Sequence, residues 1–193
     1  MTACWELPEG YRLGETIDLQ KDKKKAVFVN VAAVVVFLVL AVILHLFVPV
    51  TALFDMEDGA GVYFLRFGVL IAADLAYIVL HELVHGVFIR KYSGKKAKYG
   101  FTGLYAFAGS DAYFVKKPYE VIAFAPVVVW GIVFLVLCLF LRDGWLWVVY
   151  LLEAINLSGA MGDFYVCYRL RAFPEETLIR DRGTAMELYL PEK

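Results

Sequence analysis

Long apolar runs divide this chain, from about Ala26 to Val50, Tyr63 to Ile89, Tyr119 to Leu141 and Trp145 to Tyr168. Each reaches the roughly 20 residues that an α-helix needs to cross a bilayer. Trp145 and Trp147 fall where an interfacial aromatic belt is expected. The pattern predicts an all-α membrane protein with four transmembrane helices. It is read as one membrane-embedded domain over residues 1–193: an N-terminal tail (1–25), a four-span bundle (26–168) and a C-terminal tail (169–193).

The connection between spans two and three has a different texture. Tyr99-Gly-Phe-Thr-Gly-Leu-Tyr-Ala-Phe107 and Ala112-Tyr-Phe-Val115 are rich in aromatic residues, with Gly109-Ser110-Asp111 between them as a turn signal. A small β-hairpin at the cytoplasmic membrane surface is expected. It either caps the bundle or offers an edge strand that holds a substrate peptide extended.

Composition supports the membrane reading. Hydrophobic residues make up 61% of the chain and the mean hydropathy is +0.66, above what a soluble domain carries. The net charge of −1 gives no reason to expect a nucleic-acid partner. Basic residues are nevertheless segregated. Lys21, Lys23, Lys24 and Lys25 precede span one. Arg90, Lys91, Lys95, Lys96, Lys98, Lys116 and Lys117 lie between spans two and three. Arg169, Arg171, Arg180 and Arg182 follow span four, and Arg12 and Lys193 join the same side. Only Arg66 and Arg142 fall opposite. The positive-inside rule then places both termini in the cytoplasm, as in a multi-pass protein of the cell membrane. The cysteines Cys4, Cys138 and Cys167 form no CxxC pair, so no disulfide framework is expected. The polar start lacks the apolar core of a signal peptide, which predicts that span one is retained.

His81-Glu82-Leu83-Val84-His85 carries the chemistry. At about 100° per residue the two histidines share one helix face, and imidazoles at that spacing can bind one Zn²⁺. Glu82 is then placed to act as general base toward a water whose pKa the metal lowers. Within a span, a charged side chain costs about 2.5–3.5 kcal/mol on insertion scales. A divalent cation offsets that cost. The alternative is a helix whose histidines bond other helices around a protonated Glu82.

A catalytic zinc usually takes three protein ligands, and Asp163 is the candidate third. His85 and His81 lie about 7.5 and 13.5 Å below the basic boundary at Arg90, and Asp163 about 9 Å below Arg169, at 1.5 Å per residue. Ser158, Gly159, Ala160 and Gly162 are small and predict close approach of span four. Asp163 is otherwise an interface residue among them. His45 belongs to the opposite leaflet. Cys167 is one turn beyond Asp163, near the boundary, where packing is the favoured role. Asn156 is a candidate substrate-binding group for a carbonyl or oxyanion, or else a bridge between helices. Asp74 lies deeper, where a water pathway or a helix contact is its expected role, Glu153 is similarly deep and carries no assigned role, and Pro126 predicts a kink in span three.

These residues resemble the site-2-protease-like members of the putative zincin peptidase family. The likeness covers nearly the whole chain: Leu7-Pro-Glu-Gly-Tyr11 with Ile17-Asp-Leu19, His81-Glu-Leu-Val-His85, the aromatic loop, Ala125-Pro126, Gly162-Asp163 and Asp181-Arg-Gly183. It implies a zinc site of His81, His85 and Asp163, with Glu82 as general base, and peptide-bond hydrolysis near the cytoplasmic face. Its partners would be the lipid bilayer and a membrane protein or peptide substrate. Two other classes stay open: a non-catalytic zinc-binding membrane protein with a structural or regulatory role, and a transporter lined by Asp74 and Glu153.

Overall fold

The computed structural model describes residues 2–103 and 105–192, which form an α+β fold. This corrects the all-α expectation. Besides the helices there is a five-stranded antiparallel sheet, and a separate two-stranded one. In chain order the elements are β1 (Ala3–Cys4), β2 (Tyr11–Ile17), α1 (Lys23–His45), a 3₁₀ turn (Val50–Phe54), α2 (Ala60–Ser93), β3 (Lys98–Phe101), β4 (Ala106–Gly109), β5 (Tyr113–Val115), α3 (Lys116–Cys138), α4 (Asp143–Gly159), α5 (Met161–Leu170), β6 (Leu178–Asp181) and β7 (Met186–Pro191).

The large sheet runs β1-β5-β6-β7-β2. It is built mostly from the two ends of the chain, which read as polar tails in the sequence. β2 pairs with β7 from Tyr11 opposite Pro191 to Ile17 opposite Met186, with an irregularity between Leu13 and Glu15. No local periodicity reports a partner that distant along the chain.

The aromatic connection contains a hairpin, but its turn is displaced from the predicted one. β3 pairs with β4 from Lys98 opposite Gly109 to Phe101 opposite Ala106. Thr102 closes the loop by donating its N–H to the Tyr105 carbonyl (2.9 Å) and accepting the Tyr105 N–H at Oγ1 (3.1 Å). Gly103 between them has φ +92°, a conformation that favours glycine. Gly109-Ser110-Asp111 instead carries the chain from the small sheet to β5 in the large one. Leu104, in this loop, and Lys193, counted among the basic residues, lie outside the described residues.

Four stretches are long and apolar enough to cross a membrane: Lys23–His45, Ala60–Ser93, Lys116–Cys138 and Asp143–Leu170. On α1, Val31, Val34, Val35, Leu38 and Val39 are all more than half exposed. A soluble monomer rarely presents so continuous an apolar surface, whereas lipid accepts it. The fourth stretch is not one helix. It breaks at Ala160 (φ −81°, ψ 11°), between α4 and α5.

The chain divides into two compact units. The first comprises Met1–Val29, His81–Pro126 and Gly162–Lys193. Its core gathers Ile17 and Leu188 from the sheet with Ile89, Tyr119, Ile122, Val166 and Leu170 from helices. The Phe107 ring lies against Gly100 and Gly183. Asp111 takes hydrogen bonds from Lys98 and from Arg180 Nη2 (3.0 Å). These two cations hold its carboxyl below the usual carboxylate range.

The second unit comprises Asn30–Leu80 and Val127–Met161. Leu44, Leu53, Trp147 and Val148 form one cluster, and Tyr77, Phe134, Val149 and Leu152 another. Arg66 is only 3% exposed. Its Nη1 donates to the carbonyls of Ala52 (3.1 Å), Leu53 (3.3 Å) and Asp55 (3.2 Å). Arg66→Ala strips a donor from all three, so thermal unfolding in detergent should report a loss of about 2–3 kcal/mol. An unchanged melting curve would mean that water takes over these carbonyls.

Candidate metal centre

Two helices supply the cluster, and each presents its ligands for a local reason. α2 continues unbroken through His81 and His85, so a single turn separates the two rings. Their centroids are 4.9 Å apart at an interplanar angle of 75°. Asp163 belongs to the first turn of α5. The break at Ala160 thus gives the carboxylate a new helix N-terminus, where the helix dipole favours negative charge. Gly159 and Gly162 do not serve the predicted close approach. A Cβ at Gly159 would meet nothing within 4 Å among the described residues, and one at Gly162 only Leu19 Cδ1 at 3.9 Å. These small residues flank the helix break instead.

Asp163 Oδ2 lies 3.8 Å from His81 Nε2 and 3.8 Å from His85 Nε2. One ligand atom from each of the three residues falls within 4.8 Å of the other two. Tetrahedral zinc with bonds of about 2.0–2.1 Å separates its ligand atoms by roughly 3.3–3.4 Å. Small side-chain adjustments close the difference. The histidines are buried, at 9% and 8% exposure. His85 Nδ1 lies 2.9 Å from the Ile122 carbonyl oxygen. That oxygen can only accept, so Nδ1 carries the proton and Nε2 keeps its lone pair for a metal.

Glu82 is half-buried beside this cluster, with the backbone N–H of Ala108 in β4 near its carboxylate. Charge fits as well as geometry: two neutral imidazoles, two carboxylates and one divalent cation sum to zero, which suits a low-dielectric setting. His81, His85 and Asp163 therefore fit zinc by donor type, spacing and charge.

Other polar groups are placed elsewhere. Asn156, fully buried in the second unit, donates from Nδ2 to the Val127 carbonyl and to Glu153 Oε2 (3.1 Å each). Its Oδ1 accepts from the Tyr77 hydroxyl at 2.9 Å. These bonds tie α2, α3 and α4 together, which is the bridging role. Asp74 Oδ1 is buried with no hydrogen-bond partner among the described residues. His45 Nδ1 accepts the Val50 N–H (3.0 Å). Cys167 packs in the first unit's core and is not among the three clustered ligands.

Sequence reasoning missed several supports. Gly86 follows the second histidine, and a Cβ there would run into the Tyr99 hydroxyl. The missing Cβ leaves room for the tip of the Tyr99 ring from β3 against the metal helix. Asp181 accepts the Tyr119 hydroxyl (2.8 Å) and the Gly183 N–H (2.7 Å). Burial pushes its carboxyl up, and these donors pull it part of the way back. Glycine after the HExxH pattern and Asp181-Arg-Gly183 were visible as residues, but nothing along the chain revealed what they touch.

No curated protein and no solved structure matches the chain. The family model described as "Putative zincin peptidase" matches residues 75–178, more than half of the chain, from just before the first histidine of the cluster to beyond its aspartate. Family membership implies zinc, and the three residues that fit it lie inside the matched segment. The chain belongs to the putative zincin peptidase family.

Proposed function

We propose that this protein is an intramembrane zinc metalloprotease of the site-2-protease-like kind. It would hydrolyse peptide bonds of membrane-embedded or membrane-adjacent segments near the cytoplasmic face. The observation that carries the reading is the convergence of His81, His85 and Asp163 beside Glu82, on helices apolar enough to cross a membrane.

His81 and His85 would hold the metal through Nε2, and Asp163 through Oδ2. When bound, zinc supplies a Lewis acid that polarises a carbonyl and makes water more acidic. Glu82 accepts the proton of the attacking water and returns it to the leaving nitrogen as the peptide bond breaks. Among the described residues β4 pairs on one side only, with β3. Its other edge supports the reading of a strand that holds substrate extended beside Glu82.

Both termini are assigned to the cytoplasm of a cell-membrane protein. The distribution of lysine and arginine supports this. So does the pairing of β2 with β7, which requires both chain ends on one side.

The test uses purified protein in liposomes with a single-span peptide whose helix is weakened near its cytoplasmic end. Two complementary fragments should appear by mass spectrometry. A zinc chelator should stop their formation and added zinc should restore it. Zinc-loaded protein that cleaves no such peptide would leave a non-catalytic zinc protein as the reading.

A further inference from the structure

In an α-helix the carbonyl of residue i accepts the N–H of residue i+4. Proline has no N–H, and its ring pushes that carbonyl away. Pro126 lies inside α3, well past its first turn. The carbonyl that loses its helical donor is therefore Ile122's. This is the oxygen that lies 2.9 Å from His85 Nδ1. The surroundings are dry: Ile122 and Ala123 are each 2% exposed, and Pro126 is under 2%. A buried carbonyl without a donor is costly, and here an imidazole N–H fills the vacancy.

We propose that Pro126 is a positioning residue for the metal centre, acting through the Ile122 carbonyl on His85. By withholding its own N–H it reserves that oxygen for Nδ1–H. This fixes the tautomer and the ring orientation of His85, and turns the Nε2 lone pair toward Asp163. With an N–H at position 126, the helical bond would compete for the same oxygen, and the ring would be free to turn. The inference rests on the zinc reading of His81, His85 and Asp163. Pro118 supplies the contrast. It sits in the first turn of α3, where backbone N–H groups have no helical acceptor, so its missing donor frees no carbonyl.

The experiment compares wild type, Pro126→Ala and Pro118→Ala in detergent, stripped of metal. Zinc affinity is read by chelator competition and ligand geometry by the visible spectrum of the cobalt(II) form. Thermal stability of the metal-free protein is followed in parallel. Pro126→Ala should bind zinc about 10–100-fold more weakly and shift the cobalt bands. Its metal-free stability should not fall, because alanine is the better helix former. Pro118→Ala should bind zinc as the wild type does. Wild-type affinity and an unchanged cobalt spectrum in Pro126→Ala would overturn the proposal.

Should Pro126→Ala fail to fold, Ala123→lactic acid tests the same link. It turns the Ile122 carbonyl into a weaker ester acceptor and leaves every side chain in place. The same loss of affinity is expected, and its absence overturns the proposal. If the wild type itself binds no zinc, the zinc reading falls and this inference falls with it, an outcome distinct from tight binding by every variant.

Discussion

Glu82→Gln keeps one equivalent of zinc and loses peptide cleavage. Glutamine has the shape of glutamate but cannot take a proton from water. The clustered ligand atoms belong to His81, His85 and Asp163, so the substitution leaves the metal's donors untouched. Removing a general base slows a reaction by about 10²–10⁴-fold. The variant also removes a half-buried negative charge, so its stability should not drop. Zinc content by elemental analysis and fragment formation by mass spectrometry read the two properties separately. Cleavage at the wild-type rate would show that Glu82 is not the base.

Asp163→Ala removes the metal itself. Only two imidazoles one turn apart on α2 would remain, and two ligands hold zinc poorly. Outer partners of metal ligands already contribute about 10–100-fold in affinity, so losing a direct ligand should exceed about 100-fold. Cleavage should vanish along with zinc, unlike in Glu82→Gln, where the metal stays. Cys167→Ser serves as the comparison. It lies one turn further along α5, packed in the core, and should retain full zinc content. Tight zinc binding by Asp163→Ala would show that the third ligand comes from elsewhere.

Much of the helical part was legible because its apolar runs are long enough to cross a bilayer. Three of the four predicted spans each coincide with one helix to within a few residues, and the fourth covers α4 and α5 with the break between them. The histidine pair was legible because helical spacing alone sets His81 above His85. Asp163 could be placed by depth along its span, although the helix break at Ala160 that puts it in a first turn was not foreseen. The sheet escaped notice for a physical reason. β6 has four residues and β1 two, too few to show alternation, and the longer β2 and β7 pair with each other from far apart along the chain. For Asn156 the bridging alternative is the one its hydrogen bonds serve. Lipid-like apolarity says where a helix runs; it does not say which carbonyl an imidazole will find.

Pairing β2 with β7 has a consequence for biosynthesis. The strand at residues 11–17 is made long before its partner at 186–191. Until residues 186–191 have emerged, the early strand lacks its sheet partner, and a chaperone or another nascent chain could occupy that edge. Asp163, too, is synthesised long after the two histidines. A chain that stops short of these residues therefore holds neither the full sheet nor a complete metal cage, and hydrolytic capacity would arise only after both have emerged.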